Sequence, residues 1–470
     1  MNRRSFHRTL LAAASLGRGL RADNPNRYQP TWESLSTHQV PAWFSNAKLG
    51  IFIHWGLYSV PAWAPTSGEL HKVPPDKWFT DNAYAEWYLN SLRITGSPTW
   101  QHHIATWGKD FDYYGFMPMF NKGVANWDPQ VWAKLFHDVG ARYVVLTTKH
   151  HDGFTLWPSR VQNPRRSGKL CADRDLVGGL AAAVRAQGMK MGLYYSGGLD
   201  WTFTTEPIRS MADLHARTPQ SLEYAQYADS HWRELIDRYQ PSVMWNDISY
   251  PKAGKIPELF AQYYNTVPEG VINNRFGVSF SDYTTPEYAK YDKIMEKKWE
   301  ECRGLGFSFG YNQAEGPEQV IAPDKLIALL IDIVSRNGNL LLNVGPKADG
   351  SISDIQLDRL HKLGAWLRVN GEGIFDTRPW VRAASTSAGS EVRFTQKGAA
   401  LYAFLLDPVS GPDVTLPGIR AASGTTVRTP GGAADIAWKQ AGDNLVLSMP
   451  QTDRGPYAAA VRITPLPSAV

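Results

Sequence analysis

The 470-residue sequence has two cysteines, Cys171 and Cys302, and no Cys-x-x-Cys pair. A cysteine zinc centre is therefore not expected. The thiols read as buried, with one Cys171–Cys302 disulfide as the alternative. Dense lysine or arginine blocks are also missing, and the formal charge of +5 is small for this length. Nucleic acid is thus not an expected partner. Past the N-terminus no segment is long and apolar enough to span a bilayer, so no membrane partner is expected either. No Gly-x-Gly-x-x-Gly follows an early strand-like run, which argues against a dinucleotide fold.

The N-terminus reads differently. Met1 to Ala14 has a basic head followed by a short apolar run, and Leu20-Arg21-Ala22 offers a cleavage site. Arg3-Arg4 with Phe6 resembles a twin-arginine signal, although Arg18 cuts the apolar run short. Residues 1–25 are read as an export signal, giving a periplasmic or secreted protein. The alternative is a disordered tail.

Aromatic residues are abundant, with 18 Trp and 21 Tyr. Flat rings fill cores, and they also stack on the apolar faces of sugars. The apolar fraction of 43% supports a large core, and the length suits one barrel-sized domain plus a smaller one.

From Leu49 onward, short apolar runs alternate with helical patterns. The strand-like runs are Leu49–Gly56, Arg142–Thr148, Met189–Ser196, Pro241–Asp247, Gly270–Arg275, Leu305–Tyr311 and Asn339–Gly345. Helices are expected after Asp128-Pro129, from Asp175 to Ala186, Ser221 to Tyr239, Ile256 to Tyr264, Asp324 to Arg336 and Asp354 to Val369. This rhythm predicts βα units around a parallel sheet, and their number favours an eight-fold (β/α)8 barrel over residues 28–375. From about Trp380 the texture changes to short β-type runs between Gly-, Pro- and Thr-rich turns. A small antiparallel β-sandwich over residues 380–466 is expected, with a structural role as the default.

Many strand ends carry a polar residue, which in a barrel is where catalytic groups sit. Val243-Met244-Trp245 ends in Asn246-Asp247, and a carboxylate there is costly unless paired or used. In barrel order, the ends bring His54, His150, His151, Tyr194 or Tyr195, Asp247 and Arg275 around one pocket. Glu287 or Glu300 would lie on the loop beyond. Adjacent His150 and His151 reach one site only if the strand has just ended. A metal-dependent barrel hydrolase built on His54, His150, His151 and Asp247 is the weaker reading, since no ligand-spaced cluster lies nearby. Glu86 beside Trp87 reads as surface packing by default, or as a holder of sugar hydroxyls. Two carboxylates among imidazoles and aromatics is the equipment of glycoside cleavage.

Ile53-His54-Trp55-Gly56, Lys149-His150-His151-Asp152-Gly153-Phe154, Tyr194-Tyr195-Ser196-Gly197-Gly198, Trp245-Asn246-Asp247 and Ser308-Phe309-Gly310-Tyr311-Asn312 together resemble the α-L-fucosidases of glycoside hydrolase family 29. Gly371-Glu372-Gly373-Ile374-Phe375 with Thr377-Arg378-Pro379-Trp380 resembles that family's link to its C-terminal β-domain. The resemblance implies a retaining exo-enzyme that releases terminal α-L-fucose from oligosaccharides or glycans, without a metal or cofactor. Asp247 then matches the nucleophile, and His54, His150, His151, Glu86 and Trp87 match fucose-binding positions. Tyr194 matches better than Tyr195, and Arg275 matches a residue near the acid/base. Glu287 is the expected acid/base, with Glu300 the runner-up. The chain lacks the acidic-rich segment of the branch restricted to branched fucosides. An inactive fucose-binding protein is the third reading, and a homo-oligomer is compatible with the sequence.

Overall fold

The computed structural model describes residues 28–387, 390–406, 413–432, 434–449 and 456–470. The expected export signal lies outside them. Seven strands form one parallel sheet: β1 (Leu49–Ile53), β2 (Tyr143–Lys149), β3 (Lys190–Ser196), β4 (Val243–Asp247), β5 (Val271–Ile272), β6 (Trp299–Gly304) and β7 (Gly338–Val344). Their order is β5-β4-β3-β2-β1-β7-β6. The sheet curls into a TIM-like barrel. Between β5 and β6 runs an irregular stave, residues 283–287, with parallel bridges Asn273 to Tyr283 on one side and Thr284 to Trp299 and Glu287 to Cys302 on the other. Backbone hydrogen bonds from Asp282 N to Ile272 O (3.0 Å) and from Glu300 N to Thr284 O (2.8 Å) fasten it. Glu287 therefore ends a barrel stave rather than sitting on a free loop.

Burial on both faces explains why the strands read as apolar runs: every residue of β1, β2, β4 and β7 is buried. Each fully buried Leu, Ile or Val contributes about 1.5–3 kcal/mol. Three of the intervening helices start at a side-chain cap. Asp128 accepts from Gln130 N (2.9 Å), Asp175 from Gly178 N (2.8 Å) and Ser221 from Tyr224 N (3.2 Å), each cap being worth about 1 kcal/mol.

Two expectations fail. The run Leu305–Tyr311 is not a strand; β6 lies just before it, in Trp299-Glu300-Glu301-Cys302-Arg303-Gly304. The strand expected over Gly270–Arg275 shrinks to Val271–Ile272, because Asn274–Phe276 turns into a 3-10 helix.

The C-terminal part is antiparallel. Arg378–Ser387 (β8), Ser390–Lys397 (β9), Ala400–Leu405 (β10), Asp413–Leu416 (β11), Ile419–Arg420 (β12), Thr426–Arg428 (β13), Ala437–Ala441 (β14), Asn444–Ser448 (β15), Ala459–Thr464 (β16) and Ser468–Ala469 (β17) follow in sequence. They make a five-stranded sheet β13-β16-β10-β9-β8, a three-stranded sheet β11-β15-β14 and the pair β12-β17. The central strand β10 is buried on both faces. Leu401, Ala403 and Leu405 pack into the core shared with the three-stranded sheet. Tyr402 and Phe404 join the barrel's core.

Candidate active site

The carboxyl ends of the strands open into a cavity of about 300 Å³. That is the small end of ligand-pocket sizes, the scale of one sugar ring. Its lining includes His54, Glu86, Trp87, His150, His151, Tyr194, Asp247, Arg275 and Glu287.

Asp247 is the last residue of β4, paired with Ser196 of β3. Its Oδ2 accepts from the Tyr194 hydroxyl and its Oδ1 from Arg275 Nη1, both at 2.8 Å. Burial alone would push its pKa up. The Arg275 guanidinium, the His151 ring and the Tyr194 hydrogen bond outweigh burial and hold the carboxyl below its ordinary value. Arg275 reaches both acids: its Nη2 lies 3.2 Å from Glu287 Oε2. Glu287 Oε1 accepts from the Tyr84 hydroxyl at 2.7 Å. The guanidinium also packs 4.7 Å from the Trp245 ring centroid, which holds its plane.

The histidines are arranged as neutral acceptors. The Asn343 amide donates to Phe309 O (2.6 Å), so its oxygen faces His54 Nδ1 (2.7 Å). His54 Nδ1 must then carry the proton, leaving Nε2 bare. The Ser196 hydroxyl donates to Leu199 O (2.7 Å) and so accepts from His151 Nδ1 (2.6 Å). His151 Nε2 is bare by the same logic. Burial lowers the pKa of His54 to about 4 and of His151 to about 3. His150 is also pushed down by burial, and its buried Nδ1 meets no partner among the described residues. β2 ends at Lys149 and the chain turns through His150 to Gly153 (φ +81°). That turn brings both rings to one side, 3.9 Å apart. Lys149 faces away, into a buried pair with Asp200 at 2.9 Å.

Glu86 comes from a 3-10 turn, Ala85–Trp87. It accepts from Gly310 N at 2.8 Å and is only 2% exposed. Burial raises its pKa to about 7, so it can donate to a hydroxyl or accept from one near neutrality. Beside it, the Trp87 ring meets His151 edge-on at 5.4 Å. Neutral imidazoles, an indole face and a proton-exchanging carboxyl suit an uncharged polyol with an apolar patch.

A profile of the α-L-fucosidase family matches residues 18–372. The chain belongs to the α-L-fucosidase family. Human tissue α-L-fucosidase is 33% identical over 92% of this chain and 90% of its own length. A solved α-fucosidase of Thermotoga maritima in complex with fucose is 45% identical, with a TM-score of 0.85, covering 93% of this chain and 100% of that one. An α-L-fucosynthase of the same organism, in complex with α-L-Fuc-(1-2)-β-L-Fuc-N3, is 46% identical with a TM-score of 0.87, covering 95% and 100%.

The protein is thus a glycoside hydrolase, and its geometry separates residues that the sequence left paired. Tyr194 lines the fucosidase pocket, whereas Tyr195 points outward to His231 Nδ1 at 3.1 Å. Glu300 lies inside the barrel, 0% exposed, accepting from the Tyr143 hydroxyl (2.5 Å) and Trp245 Nε1 (3.0 Å). It is absent from the cavity lining, because β6 turns Glu300 and Cys302 inward at different depths. Both cysteines are free thiols, and Cys171 is only partly buried. Sequence reasoning missed Tyr84, Asn343 and Cys302, which touch Glu287, His54 and Arg275 respectively. Asn343 had a signal, a polar residue inside the Leu340–Val344 run. Tyr84 had none, since it arrives on a long Pro- and aromatic-rich connection. Leu70, His71 and Trp78 from that connection also line the cavity, as do Met211, Leu214 and Ile248.

Proposed function

We propose that this fucosidase cleaves terminal α-L-fucosides with retention, Asp247 acting as nucleophile and Glu287 as acid/base. The observation that carries the reading is Arg275, one cation bonded to both carboxyl groups. In the reactive complex Asp247 is charged and Glu287 holds a proton. Asp247 bonds to the anomeric carbon as the C–O bond breaks, and Glu287 passes its proton to the leaving oxygen. Asp247 loses its charge as Glu287 gains one, so the guanidinium stays matched to one negative charge. Glu287 then takes a proton from water, whose oxygen attacks the same carbon and frees Asp247. The carboxyl groups should stand roughly 5–5.5 Å apart in that complex. The bare Nε2 atoms of His54 and His151, with Glu86, would take the ring hydroxyls, and Trp87 would cover the apolar side.

Fucosylated oligosaccharides or glycans are the substrates this reading implies. The metal-dependent alternative is not favoured. Among the described residues no group of three or more His, Cys, Asp or Glu side chains could hold a metal ion.

Azide separates the roles. In Glu287→Ala, kcat/KM should fall by about 10²–10⁴ for poor leaving groups and little for activated aryl fucosides. Azide should then yield the α-fucosyl azide, after two inversions. Asp247→Ala should be nearly inactive, and azide should yield the β-product through one inversion. The same anomer from both variants would overturn the assignment.

A further inference from the structure

We propose that Glu301 is a positioning residue for Glu287, its carboxyl group fixing the turn that aims the acid/base at the leaving oxygen. The inference rests on the assignment of Glu287 above.

β6 alternates as a strand must. Glu300 and Cys302 face the barrel interior, where Cys302 Sγ lies 3.4 Å from Arg275 Nη2. Glu301 and Arg303 face the other way. Arg303 binds Glu69 at 2.6 Å. Glu301 is 1% exposed, and both its oxygens meet one backbone donor, Ala289 N, at 3.1 and 3.2 Å. Burying a carboxyl group for a single N–H is costly, and an apolar side chain would avoid the cost. Burial raises the Glu301 pKa to about 8, so near neutrality it adds no second negative charge beside Glu287.

What that N–H secures is the residue pair after the acid/base. Tyr288, between Glu287 and Ala289, sits at φ +52°. For a bulky non-glycine residue this left-handed geometry is strained and persists only where the surroundings impose it. Three contacts from β6 impose it. Cys302 N donates to Pro286 O (3.2 Å), Gly304 N donates to the Tyr288 hydroxyl (3.2 Å), and Glu301 receives Ala289 N. The first holds the chain before Glu287. Glu301 holds the main chain after it.

The test compares kcat/KM for a fucosyl-galactose disaccharide and for 2-chloro-4-nitrophenyl α-L-fucoside. Both are measured on one preparation, so their ratio does not depend on the fraction folded. Glu301→Ala should lose about 10²-fold on the disaccharide, the effect of a small misplacement, and about threefold or less on the aryl fucoside, which leaves without proton help. Glu301→Met, which fills the volume without an oxygen, should behave alike. Glu301→Gln keeps a carbonyl acceptor for Ala289 N and should stay within about threefold of wild type on both. Equal losses on both substrates, or a Gln variant as impaired as Ala, would overturn the proposal. Glu287→Ala runs alongside. If it shows the leaving-group dependence and Glu301→Ala does not, the positioning role alone falls. If neither shows it, the acid/base assignment falls first and takes this one with it.

Discussion

Glu86 shows how burial sets chemistry at a single position. Its carboxyl group accepts Gly310 N inside the pocket wall, and desolvation lifts its pKa from 4.5 to about 7. The folded-state value lies above the unfolded one. The stability tied to its proton is therefore fully present below pH 4.5 and is lost as the pH rises through about 7. The full swing is roughly 3 kcal/mol. Glu86→Gln keeps the acceptor and removes the titration. Urea unfolding at about pH 5 and about pH 8 should show wild type losing stability relative to the Gln variant. A difference that does not move with pH would contradict the buried, titrating carboxyl. The same desolvation keeps His54 and His151 neutral near neutral pH, so among these three side chains only Glu86 changes charge there.

Elements explain what the sequence made legible and what it hid. Strands β1, β2, β4 and β7 are wholly buried and read directly as apolar runs. The polar residues at the ends of β1 to β4 could be ordered around a barrel from the sequence, while Arg275 follows the short β5 on a 3-10 turn. β6 was hidden because its charges are answered only in three dimensions: Glu300 by Tyr143 and Trp245, Glu301 by Ala289, Arg303 by Glu69. The apolar look of Leu305–Tyr311 misled, since this stretch is irregular: Phe309 O accepts from the Asn343 side chain and Phe309 lines the pocket. Tyr194 and Tyr195 were ambiguous for a related reason: period-two alternation says they face opposite ways but not which faces in. Close packing at a strand end carries its own prediction. A Cβ on Gly198 would stand 1.4 Å from Ile248 O, directly after Asp247. Gly198→Ala should therefore displace that chain and cut kcat/KM by at least about 10²-fold in whatever fraction folds. Near-normal activity in the folded fraction would show that the Asp247 end of β4 is less tightly set than described.

For the whole molecule, the two sheet systems share a boundary. Tyr402 and Phe404 lie in the barrel core. Trp366 Nε1 donates to Ala458 O at 2.8 Å, Thr395 donates to Gly373 O at 2.7 Å, and Arg393 pairs with Asp332. Burial of the two aromatic rings alone is worth about 1.5–3 kcal/mol each. A chain ending at Asp376 should therefore unfold several degrees lower or aggregate, although the pocket residues lie before that point. Scanning calorimetry checks this, and an unchanged midpoint would show that the β-domain adds nothing to the barrel.

Trapping tests the proposed fucosyl–Asp247 ester most directly. A 2-deoxy-2-fluoro-fucosyl fluoride should inactivate the enzyme, one label per chain, and peptide mass mapping should place the label on the peptide carrying Trp245-Asn246-Asp247. A label on Glu287 or Glu300, or turnover with no covalent adduct, would contradict the account.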